Sequence, residues 1–274
     1  MKLFLSVDME GITGLPDHQF VEASKQHYER ACRIMTGEAN AIIEGALDHG
    51  ASDILVNDSH SSMTNLLVDE LHPEATIITG GNKPLSMVQS LDDTYAGAIF
   101  AGYHARAGQP GAMSHTISLN IRNIYIDDML VGEIGFNAYV AGHYGVPIIM
   151  VAGDDGACRE AEELFPNIVT ATVKQAISRS AVKTLHPQKA NELLKEKVQE
   201  AIQKIDQMKP FVPPKNPVLR VEFANYGQAE NASLMPGCVI EKNTTIVRFE
   251  AKDIIEAYQA MIVMARLAGP TTYS

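Results

Sequence analysis

Pro147-Ile148-Ile149-Met150-Val151-Ala152-Gly153-Asp154-Asp155-Gly156 is the stretch on which the fold turns. Its uncharged first half makes a strand, and the glycines and aspartates end it before a helical pattern opens near Cys158. A strand that is apolar on both faces suits the inside of a parallel sheet, with helices covering each side. The same unit recurs upstream. Lys2 to Asp8 reads as a strand ending in Asp8-Met9-Glu10-Gly11, followed by a helical pattern from about Gln19 to His49. There Ala31, Ile34, Met35, Ala39, Ile42, Ile43, Ala46 and Leu47 recur at helical spacing, and Gly50 supplies the stop. Asp53 to Asn57, Ala75 to Thr79 and Ala98 to Gly102 are further short strands. Residues 115–133 read as a β-ribbon, and a helix from about Gly135 to His143 leads into the quoted stretch. Strands alternating with helices predict an α/β fold, a mostly parallel sheet flanked by helices.

After Val173 the texture changes. Residues 187–208 form a charged amphipathic helix with Ala190, Leu194, Val198, Ala201 and Ile205 on one face. The proline-bearing run from Lys209 to Pro217 cannot continue it. Strands near 218–224 and 244–249 and a final helix from Asp253 to Ala268 then make a smaller C-terminal α+β unit. The expected division is a catalytic α/β domain over residues 1–185 and a smaller, oligomerising domain over 186–274. The final helix is apolar around much of its circumference and must be covered on more than one side, so a subunit partner is the expected second layer, with packing wholly within its own subunit as the alternative.

Composition excludes several functions. The chain carries 33 acidic against 22 basic residues, a net charge of −11. With no basic run, nothing offers a footprint for nucleic acid or an anionic membrane surface. Three widely spaced cysteines form no disulfide framework and fit a reducing compartment. The first residues hold one basic residue and a short apolar run, unlike a secretion signal, and no stretch approaches the roughly 20 apolar residues of a membrane span. The expected location is the cytoplasm.

In open α/β sheets ligands bind beyond the carboxyl ends of the strands. Asp8 and Glu10, His60, His104 and Glu133 all fall at such exits. Taken singly, each is as readily a cap or turn residue, as Asp58 is. Their convergence is what points to a metal. Three carboxylates and two imidazoles suit zinc, and five ligands exceed what one catalytic tetrahedral ion accepts. They fit two ions sharing a bridging carboxylate and activating a water for hydrolysis. Asp154 and Asp155 are weaker candidates, for holding a substrate amine or for capping the helix that follows. A two-metal phosphoesterase is the alternative enzyme, disfavoured because Arg106 is the only basic residue close by in sequence. A solute- or metal-binding component of peptide transport is the non-enzymatic one.

The segments Ser6-Val7-Asp8-Met9-Glu10-Gly11, Asn57-Asp58-Ser59-His60, Ala101-Gly102-Tyr103-His104, Ser114-His115-Thr116 and Gly132-Glu133 resemble the signatures of the zinc D-aminopeptidases associated with bacterial dipeptide-permease operons. The resemblance covers nearly the whole chain. It implies release of N-terminal D-residues such as D-Ala from short peptides. It further implies two zinc ions, with Asp8 bridging, Glu10 and His104 on one ion, and His60 and Glu133 on the other. His115 is implied as the catalytic residue, described in the family as a nucleophile. Beside activated water, an imidazole is more useful as a proton shuttle or oxyanion donor. The resemblance also implies a large ring-shaped homo-oligomer whose sites face an enclosed space.

Overall fold

Leu3, Leu5 and Val7 of β1 (Lys2–Val7) enter one hydrophobic cluster and Phe4 enters another, so the period-two alternation of a strand puts core on both faces. The computed structural model describes residues 1–269, and positions 270–274 of the expected C-terminal unit lie outside the described residues. β1 pairs in parallel with β2 (Asp53–Asp58) on one side and β4 (Gly97–Tyr103) on the other. β3 (Ala75–Ile78) lies outside β2, while β7 (Ile148–Asp154) and β8 (Val169–Ser178) continue beyond β4. The short β9 (Ala181–Thr184) closes that edge antiparallel to β8, giving seven strands in the order β3-β2-β1-β4-β7-β8-β9. The chain winds outward from β1 in one direction, then returns to β4 on the opposite side. The crevice at that reversal is where such sheets bind ligands.

Helices α1 (Tyr28–Leu47) and α4 (Pro187–Gln203) pack together, with Gly45 of α1 against Val198 of α4, and both contribute to the cluster that holds Leu3, Leu5 and Val7. On the other face lie α2 (Glu133–His143), α3 (Asp155–Leu164) and α6 (Ile254–Ala268). A second sheet backs them. It is antiparallel, in the order β11 (Val239–Ile240), β12 (Ile246–Glu250), β10 (Val218–Phe223), β5 (Ile121–Ile126), β6 (Met129–Val131), and α5 (Tyr226–Ala232) packs on α6 beside it.

The α/β class and mostly parallel sheet follow the sequence expectation. The layers, however, do not part between residues 185 and 186. α4 belongs to the parallel sheet's cover, while β5 of the first half pairs with β10, placing Ile126 opposite Leu219 and Ile124 opposite Val221. A two-stranded ribbon is marginal alone and gains stability from a third strand. The first helix begins at Tyr28 instead of Gln19, because 17–27 is a series of turns that brings Val21 toward the sheet's crevice. α6 is covered mostly within its own chain: Ile254, Ala257, Tyr258, Met261 and Met264 are buried, and among its large apolar side chains Val263 stands out at 42% exposed. Its composition therefore makes no demand for a subunit partner. Among the described residues, no helix is long and apolar enough to cross a membrane.

Candidate metal centre

Parallel register delivers the first three clusters to one place. Val7 lies opposite both Asp58 and Ala101, so the exits of β1, β2 and β4 are side by side. Backbone bonds lace these exits together: Asp8 N donates to Ala101 O at 2.8 Å, Ser59 N to Val7 O at 2.8 Å, and Gly11 N to Gly102 O at 2.7 Å. Gly102 has φ +70, and a Cβ there would lie 2.1 Å from Asp8 O. Only glycine permits both that conformation and that approach. Glu133 comes from the other sheet, as the first residue of α2 after the β5–β6 ribbon, with Oε1 accepting from Ile117 N at 2.6 Å.

The five side chains meet below the protein surface, each 3–7% exposed. His60 Nδ1 lies 2.8 Å from Glu10 Oε2 and 3.4 Å from Asp8 Oδ1. His104 Nε2 lies 3.5 Å from Asp8 Oδ2 and 3.5 Å from Glu133 Oε2. His115 Nε2 stands 4.0 Å from Glu10 Oε1 and 3.9 Å from Glu133 Oε1, its ring stacked on that of His104 with centroids 4.2 Å apart. One ligand atom from each of Asp8, Glu10 and His104 falls within 4.8 Å of the others, as do those of His104, His115 and Glu133. The first trio matches one implied ligand set. His60 and Glu133, implied for the other ion, have different nearest neighbours: Asp8 and Glu10 for the one, His104 and His115 for the other.

The donor chemistry fits a divalent cation. His60 Nε2 sits 2.8 Å from Val21 O, His104 Nδ1 3.0 Å from Ala105 O, and His115 Nδ1 2.9 Å from Met113 O. A carbonyl oxygen only accepts, so each of these ring nitrogens carries the proton and its partner nitrogen turns a lone pair inward. Those lone pairs face carboxylate oxygens, acceptor against acceptor. Accordingly Glu10 Oε2 and His104 Nε2 are buried without a hydrogen-bond partner. Protons or a cation must fill the gap. Without a cation, burial would lower the His60 and His104 pKa values, but the surrounding carboxylates, Glu10 foremost for His60 and Glu133 for His104, hold both well above the usual range. Burial, then Glu10, pushes Asp8 up to about 7.

Groups behind these ligands fix their loops. Asp58 Oδ2 accepts from the backbone N–H groups of Asn65 and Leu66, and Asn65 Nδ2 donates to His60 O at 2.7 Å, so Asp58 serves the His60 turn and not the metal cluster. Lys83 donates to Asn57 Oδ1 and Asp58 O. Ser59, Ser6, Tyr103, Asn137 and Tyr258 form a continuous buried hydrogen-bond chain from the β2 exit to α2 and α6. Lys174 of β8, 1% exposed, gives its ammonium to the carbonyls of Glu10, Ile12 and Leu15 and so braces the loop that carries Glu10. Asp154 caps α3 by accepting from Ala157 N at 2.7 Å, as the capping reading expects, while Asp155 is no cap: it accepts from Arg159 and from Ala176 N.

A cavity of about 800 Å³ opens onto Asp8, Glu10, His60, Glu133 and His115. Its wall corrects one expectation. Arg106 does not line it, whereas Lys83, Arg179 and Arg266, all remote from the ligands in sequence, do.

A family profile described as D-aminopeptidase matches residues 1–263. A D-aminopeptidase of Bacillus subtilis (strain 168) is 60% identical over 273 residues, spanning 100% of both chains. A solved structure, described as the Zn-dependent D-aminopeptidase DppA from Bacillus subtilis, a self-compartmentalizing protease, superposes with a TM-score of 0.99 at 59% identity and covers 100% of each chain. These matches favour a peptidase over a phosphoesterase or a transport component. With a profile over nearly the whole length and a relative this similar, the chain belongs to the D-aminopeptidase family.

Proposed function

We propose that this D-aminopeptidase releases N-terminal D-residues, D-Ala among them, from short peptides, with Asp8, Glu10, His60, His104 and Glu133 holding two zinc ions. The observation that carries the metal reading is the division of Asp8: its Oδ1 faces His60 and its Oδ2 faces His104, as a carboxylate shared between two ions would. Zinc held there would acidify a water and polarise the scissile carbonyl. The chain's residues do the rest. His115 lies over the ligands with Nδ1–H fixed on Met113 O, so Nε2 is the atom free to exchange protons. Burial, then the neighbouring His104, lowers its pKa, which favours an unprotonated Nε2 able to accept a proton. The same nitrogen can pass that proton to the departing amine. A chelator should abolish cleavage of D-Ala-containing dipeptides, zinc should restore it, and metal analysis should find about two equivalents per chain. Full activity in stripped protein would sink the reading.

We also propose that the chain works as a ring-shaped homo-oligomer in the cytoplasm. Support comes from the self-compartmentalizing description of the relative at 59% identity. Leu119, which lines the cavity wall, and Ile177 of β8 are each 74% exposed and would gain from subunit cover. Light scattering after size exclusion should give a mass many times 29.8 kDa, and a mass near one chain removes the compartment.

A further inference from the structure

Arg179 occupies the turn between β8 and β9 and lines the cavity beside His115. Its carbonyl accepts from Met113 N at 2.8 Å, and its Nη2 donates to Ser114 O at 3.4 Å. Backbone and side chain thus bracket the segment that carries His115. A guanidinium has five N–H donors. One of these reaches Ser114, and among the described residues no carboxylate pairs with Arg179. The other cations of the cavity stand apart from the His115 segment. Lys83 directs its ammonium to Asn57 and Asp58, and Arg266, on α6, makes no hydrogen bond to residues 113–115 among the described residues.

The substrate of an aminopeptidase has a positive amine at one end and a carboxylate at the other. In a dipeptide, the nitrogen that departs and the terminal carboxylate carbon share one Cα and lie roughly 2.5 Å apart. If His115 Nε2 serves that nitrogen, the carboxylate falls within a residue's reach of His115. Arg179 stands in that neighbourhood, one residue from His115 through its bond to Ser114 O. Its planar fork matches a carboxylate with two parallel hydrogen bonds.

We infer that Arg179 binds the C-terminal carboxylate of dipeptide substrates and is a specificity-determining residue of this enzyme. The inference rests on the D-aminopeptidase reading. It puts a guanidinium on the His115 side of the cavity, at the end that takes the carboxylate. Charge would then orient the peptide before the chemistry, and a blocked C-terminus would lose that anchor.

The test compares D-Ala-D-Ala with its C-terminal amide, D-Ala-D-Ala-NH2, on zinc-loaded enzyme. Wild type should favour the free acid in kcat/KM by about tenfold or more, mainly through KM, the scale of one charge-assisted contact. Arg179→Gln should bring the acid-to-amide ratio close to one by raising KM for the acid, and Arg266→Gln should keep the wild-type ratio. If Arg179 only braces the His115 segment, Arg179→Gln lowers kcat for both peptides alike and the ratio persists, which overturns the inference. Equal use of both peptides by wild type, or loss of the ratio in Arg266→Gln, overturns it too. Cleavage of neither peptide by wild type would instead remove the aminopeptidase reading beneath it.

Discussion

Asp8→Ala is expected to strip the protein of tightly held zinc and to lower kcat/KM by on the order of 10³-fold or more, the scale of the several kcal/mol that metal-ion catalysis supplies. No other ligand offers one oxygen to His60 and the other to His104. Removing it therefore disturbs both halves of the cluster at once, where loss of His60 or Glu133 disturbs one. The fold should survive. Burial and Glu10 raise the Asp8 pKa to about 7, so in stripped protein the carboxylate is a burden once ionised. The sign is that of an acid raised on folding: stability is fully present below the unfolded value near 3.8 and is lost as pH rises through about 7. At pH 8 the stripped variant should thus melt no more than a few degrees below stripped wild type. Metal analysis, peptide cleavage and thermal melting on the same preparation check the three parts. Retention of both zinc equivalents with normal turnover would falsify the bridging role.

His115→Ala should lower kcat by on the order of 10²-fold or more while zinc content and KM stay near wild type. His115 touches the cluster from outside. Its Nε2 is 3.9–4.0 Å from the carboxylates of Glu10 and Glu133, and its ring lies flat on that of His104. That stacking makes the competing outcome specific. If the imidazole is a ligand or a wedge that holds His104 in place, zinc is lost together with activity. If it serves only as a loop residue, activity persists. A drop in kcat with both metals retained is the result that leaves it as the group that moves protons.

The positions of Asp8, Glu10, His60 and His104 can be read from the chain because each follows an apolar run, and parallel pairing aligns the ends of such runs. Glu133 is harder. Its arrival depends on the β5–β6 ribbon joining a sheet whose other strands lie beyond residue 217. Lys174 is hidden for a different reason. Val169, Ala171 and Val173 are buried at alternate positions of β8, so strict alternation would send Lys174 to the opposite face. A register shift between Gly153 and Asp154, with partners Thr172 and Lys174, turns it inward instead. A lone lysine in an otherwise uncharged run, Val169-Thr170-Ala171-Thr172-Val173-Lys174, is the only trace it leaves in sequence. Arg179 leaves none. Its place at the cavity comes from a hairpin that folds back on residues 113–115, more than sixty positions earlier in the chain.

Lys174 gives the loop after β1 a cation that is part of the polymer. Its ammonium gathers the carbonyls of Glu10, Ile12 and Leu15 as a bound ion would, but no chelator can extract it. A zinc finger has no shape until the metal arrives, so its binding energy is also its folding energy. Here a resident charge moulds the backbone under Glu10 in advance. A zinc ion held by Glu10 as proposed would meet a finished socket, and its binding energy would remain available for gripping the ion.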